Sequence, residues 1–184
     1  MADADESRRT DNRPRHPHRA HGRELALLAL CHLESYRPEE RARALEIFWS
    51  HAPAEKDEGG AEMRAWLADA KAVEFARKLL ALATERGAEV DAAIEATSRS
   101  WRLARMDRVD RNVLRLVAVE SLGLSETPRA VIVAEAVRLA SRYGSERSAP
   151  FVNGVAQALI AKIRGEARGE GRAEAKGEPR GDGS

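Results

Sequence analysis

Between residues 19 and 164 the apolar side chains recur with the spacing of a helix face, and no segment sustains the alternation of a strand. That periodicity, with aromatic residues at only 4%, argues against a β-sandwich or barrel and predicts an all-α fold. Local stop and start signals divide it into about seven helices. In the first, over 19–33, Leu25, Leu28 and Ala29 set the buried face and Leu27 and Leu30 widen it. The second, over 39–51, turns Leu45, Phe48 and Trp49 inward, and Pro53 with Gly59-Gly60 marks a loop after it. A long third helix over 62–86 carries Trp66, Val73, Leu79 and Leu80 and stops at Gly87, and a fourth covers 88–101. Asp107 and Asp110 resemble the capped start of a fifth that Gly123 closes. Thr127-Pro128 offers a hydroxyl cap followed by proline, opening a helix that ends at Gly144. Ser148 can cap the last, which contains Phe151, Val152, Val155, Leu159, Ile160 and Ile163.

Both tails differ from this core. The chain carries 31 basic and 30 acidic residues, a formal net charge of +1, but they are unevenly distributed. Arg8, Arg9, Arg13, Arg15, Arg19 and Arg23 stand against the single acid Asp11, the electrostatic footprint of a polyanion binder. Residues 1–18, with Pro14 and Pro17 and almost no apolar side chains, are expected to form a disordered basic arm. In 165–184, acids and bases each recur every four residues among six glycines, which predicts a disordered polyampholyte tail without a site.

The N-terminus begins with acids and lacks an apolar segment, so a secretory signal is not expected. The longest apolar run, Leu25 to Cys31, has seven residues, far short of the roughly 18 needed to span a bilayer. A lone Cys31 excludes an internal disulfide and any CxxC site, and a cytoplasmic setting is expected. No phosphate loop, dinucleotide fingerprint, HExxH, GxSxG or Cys-His constellation is present, so catalysis is not expected. His16, His18 and His21 form HxHxxH, but proline interrupts the segment and no carboxylate or thiolate stands beside it; the histidines read as part of the basic arm, with no metal and no cofactor.

Two helix segments look functionally loaded. In Phe151-Val152-Asn153-Gly154-Val155 the mid-helix glycine costs about 1 kcal/mol relative to alanine, which predicts close approach of another helix. Asn153 is placed to cap or bridge helices, and Phe151 either joins the core or offers a stacking face to a base. In Val109-Asp110-Arg111-Asn112-Val113-Leu114-Arg115, charged residues flank an apolar stripe, as on a solvated face or a partner-binding one.

These segments, taken in register, resemble the NusB family of bacterial transcription antitermination factors. The resemblance rests on Arg23-Glu24-Leu25-Ala26 with Ala29-Leu30, on Val109-Asp110-Arg111 with Val113-Leu114-Arg115, and on Pro128 with Val131. It continues through Ala134-Glu135-Ala136-Val137 to Tyr143-Gly144, and through Ser148 to Phe151-Val152-Asn153-Gly154-Val155. It covers about 19–164 and implies two small helical subdomains and a function without chemistry of its own. Family members pair with the ribosomal protein NusE, bind the boxA element of ribosomal RNA leaders and join the elongating RNA polymerase. The resemblance places RNA contacts at Arg19, His21, Arg23 and Phe151, and the NusE-facing region at Asp110, Arg147 and Ser148. Many members read Gln-Ala-Leu-Tyr where this chain has Leu28-Ala29-Leu30-Cys31, which removes a stacking ring and an amide. Position 147 is arginine where some relatives carry an acid, and Ala20, His21 and Gly22 thin the first-helix arginine cluster. The upstream arginines are expected to compensate electrostatically. A self-associating helical module, forming a homodimer without sequence-specific RNA binding, is the alternative. NusB-like domains also precede RNA methyltransferase domains, but with about 20 residues after the core such a domain is not expected here.

Overall fold

Helical periodicity becomes eight α-helices in the computed structural model, which describes residues 16–51, 59–98 and 102–174, with side chains through residue 165. Arg8, Arg9, Arg13, Arg15 and residues 175–184 lie outside the described residues. The helices are α1 (Pro17–Leu33), α2 (Arg41–Ser50), α3 (Gly60–Ala68), α4 (Ala70–Glu85), α5 (Gly87–Thr97), α6 (Arg108–Gly123), α7 (Arg129–Tyr143) and α8 (Ser148–Glu174). Proline in the first turn starts α1 before the expected Arg19. The backbone of α8 continues past residue 164, where its end was expected.

The single helix expected over 62–86 is two. Asp69 adopts an extended backbone, φ −84° and ψ 97°, and its carboxylate accepts from the N–H groups of Lys71 at 3.1 Å and Ala72 at 3.3 Å. An aspartate that satisfies two of the donors at a helix start ends one helix and begins the next. The other expected caps work differently. Neither Asp107 nor Thr127 makes a side-chain capping bond; Pro128 itself stands at the start of α7, and the Thr127 hydroxyl is buried without a partner among the described residues. The Ser148 hydroxyl accepts from the Ser145 N–H at 2.9 Å, bonding the loop before α8 rather than the turn that follows.

Packing follows the implied two-part plan. Helices α1 to α4 gather around α1, and α6, α7 and α8 form a second group against which α5 also packs. One apolar cluster runs through both, with Leu25, Leu79, Ile94, Leu114, Leu139 and Leu159 all fully buried. Helix α1 packs most extensively on α4, and Gly22 permits their close approach. A Cβ there would lie 2.8 Å from the Phe75 ring and 2.9 Å from the Ala72 carbonyl oxygen. Helices α1 and α6 run antiparallel, since Arg23 meets Glu120 while Cys31 and Glu34 meet Asn112 and Arg111. No helix among the described residues is long and apolar enough to cross a membrane.

Candidate nucleic-acid interface

Two arginines four residues apart at the start of α1 meet different fates. Arg19 is exposed, its guanidinium 5.4 Å from the centre of the Phe75 ring. Arg23 approaches the same ring at 5.4 Å but is only 3% exposed. Its Nε and Nη2 each donate to Glu120 of α6 at 2.7 Å, a bidentate pair, and Nη1 lies 3.8 Å from Glu135 of α7. The expected RNA contact at Arg23 is therefore turned inward, holding α1 to α6 and α7. Between the two, half-buried His21 stacks on Trp66, rings 5.8 Å apart and 25° inclined, with Asp69 4.0 Å away. His18 binds Asp69 more closely, at 2.5 Å. Ala20 and Gly22, which thin the basic cluster, face inward, and Gly22 meets α4.

Glu24 extends the inward network. It is buried, accepts from Arg138 of α7, and lies 3.7 Å from Arg142. Arg138 also reaches Glu135 at 3.1 Å, and Arg142 pairs with Glu62 of α3 while covering the Trp66 ring at 5.3 Å. Burial, and after it the neighbouring Glu24 carboxylate, push the Tyr143 hydroxyl well above the ordinary tyrosine range. One signal for this network was present in the sequence. Ala20, Arg23 and Leu27 share a helical stripe, as do Val113, Val117, Glu120 and Leu124, so opposite charges sit in the apolar phase of both helices.

At the other end of α1, Glu34 gathers three arginines of α6. Arg111 donates to it at 2.7 and 2.5 Å, Arg115 at 2.8 Å, and Arg108 stands 3.6 Å away. Arg115 also grips Asp91 of α5 at 2.8 and 2.9 Å. Burial pushes the Glu34 carboxyl up, but the Arg111 hydrogen bond and the charges of Arg111 and Arg115 outweigh it and hold the group below the usual glutamate range. Cys31 and Leu28 are half-buried, and the Cys31 sulfur accepts from the Asn112 amide at 3.5 Å.

The seven expected site residues thus separate. Arg19 and His21 lie at the first turns of α1; Asp110, Arg147, Ser148 and Phe151 gather where α6 and α8 begin, beside its C-terminal end. The rise of α1 between the groups is about 20 Å. In the second group Asp110 and Ser148 are buried, Arg147 is exposed, and Phe151 is half-buried against the core, so its ring serves packing and surface together. Burial raises the Asp110 carboxyl above its ordinary value, against the opposing hydrogen bond from Ser148. The packing reason expected at Gly154 is not found: the glycine is exposed, and a Cβ there would meet nothing within 4 Å. Asn153 accepts from Gln157 at 3.1 Å within its own helix rather than bridging to another.

Among the described residues no group of three or more His, Cys, Asp or Glu is placed to hold a metal ion. What the molecule presents is a helical binding module, with charged and half-buried aromatic residues at both ends of one buried helix. The NusB family model matches residues 21–160, and this chain belongs to the NusB family. The transcription antitermination protein NusB of Sorangium cellulosum is 47% identical over 137 residues, covering 74% of this chain and 87% of that protein. The structure of T. maritima NusB matches with a TM-score of 0.62 at 32% identity, covering 77% of this chain and 89% of that one. A crystal structure of the antitermination factors NusB and NusE in complex with double-stranded RNA matches with a TM-score of 0.62 at 25% identity, covering 79% and 97%.

Proposed function

We propose that this chain is a transcription antitermination factor that binds boxA-type leader RNA together with NusE and brings both to the elongating RNA polymerase in the bacterial cytoplasm. The observation that carries the reading is membership of the NusB family across residues 21–160; the solved complex of a structural relative with NusE and RNA supports the partner classes. It acts by binding, without chemistry of its own. In this reading Arg19 neutralises phosphate and His21 offers its ring edge, while Phe151 supplies a stacking face at the far end of α1. Arg147 meets the protein partner. Asp110 and Ser148 act from beneath, positioning the start of α8, and Arg23 positions the helix that carries Arg19.

The test is binding of a labelled boxA leader RNA against a scrambled control, with and without NusE, at two salt concentrations. Selective binding strengthened by NusE is the expected result. Equal, salt-sensitive binding to both RNAs overturns it. Self-association is the second reading, drawn from two exposed apolar side chains, Val131 of α7 and Ile47 of α2, 42% and 39% exposed. A concentration-independent monomer in sedimentation excludes it.

A further inference from the structure

The first turns of α1 do not stand alone at the surface. Beside them α4 presents Lys71, Glu74, Phe75 and Lys78 at helical positions i, i+3, i+4 and i+7, on one face. Between the two helices lies a groove of about 380 Å³. Phe75 forms one wall beneath Arg19, Lys71 and Lys78 stand exposed along it, and His16 and His18 also line it. With histidines neutral, three cations face the single carboxylate Glu74. Neither lysine is engaged in an ion pair among the described residues, whereas the arginines of the inward network are all paired. Asp69, the other nearby acid, is occupied with His18 and with the α4 backbone. The sequence singled out the α1 side of this groove but gave no role to α4.

We infer that this α1–α4 groove is a second wall of the RNA site, in which Lys71 and Lys78 bind the phosphodiester backbone of the RNA strand that Arg19 engages. The inference rests on the reading of the chain as an RNA-binding factor and extends its contact surface to a second helix. Two observations favour RNA over an acidic protein segment. Flexible ammonium groups act as point charges suited to phosphate, and they alternate with an aromatic ring, the combination that tracks a single strand. The groove is continuous with Arg19.

Phosphate contacts add affinity without sequence information, which gives the groove a distinctive signature. The double variant Lys71→Ala/Lys78→Ala is expected to bind boxA leader RNA about tenfold more weakly at physiological ionic strength. Its log affinity against log salt should be shallower by about 1.4, from roughly 0.7 per single-strand phosphate contact. The ratio of boxA to scrambled affinity and the binding of NusE without RNA should not change. Both lysines are exposed, and circular dichroism with the charge-reversed Lys71→Glu/Lys78→Glu variant separates a folding defect from a contact defect. Wild-type affinity and slope in the double variant overturn the groove while leaving the antitermination reading intact. Loss of NusE binding with RNA affinity unchanged overturns it in favour of an acidic protein surface. Groove-dependent binding without boxA preference upholds the groove and overturns the antitermination reading; no RNA binding by the wild type overturns both.

Discussion

Arg19 and Arg23 are the same residue type, one helical turn apart, and both lie 5.4 Å from the Phe75 ring. One reaches into solvent beside two lysines, and the other is sealed against Glu120. The difference is position along the helix: the two share a face, but Arg23 lies one turn further in, where Glu120 of α6 meets it, and Arg19 stands in the exposed first turn beside α4. An arginine cluster in sequence is therefore two devices in space: a fixed charge that orients α1, and a surface charge free to meet an anion. The Glu34 cluster sits between these extremes, with its carboxylate 15% exposed and Arg111 and Arg115 at 21% and 23%.

The comparison breaks most visibly at Arg23. Arg23→Ala leaves Glu120 buried and unpaired, which costs about 3–5 kcal/mol. The expected result in thermal or urea unfolding is a severely destabilised protein, whose RNA binding fails with its fold. Replacing both partners by apolar residues, Arg23→Met with Glu120→Leu, should recover most of that stability and leave RNA binding within a fewfold of wild type. Strong loss of RNA binding in the stable double variant would return Arg23 to the interface.

Glu34 gives the intermediate case. A carboxylate held below its ordinary value contributes stability that is present above the unfolded-state value and lost as pH falls through the folded-state one. Glu34→Gln should therefore cost about 1–2 kcal/mol near neutral pH, and the gap to wild type should close in acid. A gap that is constant with pH would mean that the arginines contribute packing and not charge. Gly154 tests the opposite situation, an exposed position with no internal neighbour. Gly154→Ala should raise stability by about 0.5–1 kcal/mol and the melting temperature by about 2–3 °C. If that variant also loses affinity for NusE, the bare backbone at Gly154 is kept for a partner's approach.

How far the sequence carried this molecule depends on the range of the interactions. Helices α6 and α7 lie within a residue or two of their expected spans because glycine stops and apolar periodicity are local. The break at Asp69 was missed because the surrounding periodicity continues without proline or glycine, and only the aspartate's capping bonds reveal it. Arg23 was misplaced because its partner is 97 residues away, although the apolar phase of both positions carried the signal. The α1–α4 groove needed tertiary structure outright. Lys71 and Lys78 look like an ordinary solvated face until Gly22 brings α1 down beside them.

The smallest stability effect belongs to Arg19, and that is what makes it the sharpest probe. Its only described partner is the Phe75 ring, a contact worth about 0.5–1 kcal/mol at an exposed site and partly replaced by water when lost. Arg19→Ala should thus leave unfolding within about 0.5 kcal/mol of wild type while the RNA salt slope falls by about 0.7. Arg19→Lys should restore the slope, because it keeps the charge, but not all of the affinity, because the planar stacking surface is gone. If alanine and lysine behave alike, the ring contact and not the charge is what Arg19 provides, and the phosphate burden passes to Lys71 and Lys78. If neither change affects RNA, the two arginines of α1 differ only in burial, and the strand lies elsewhere on the molecule.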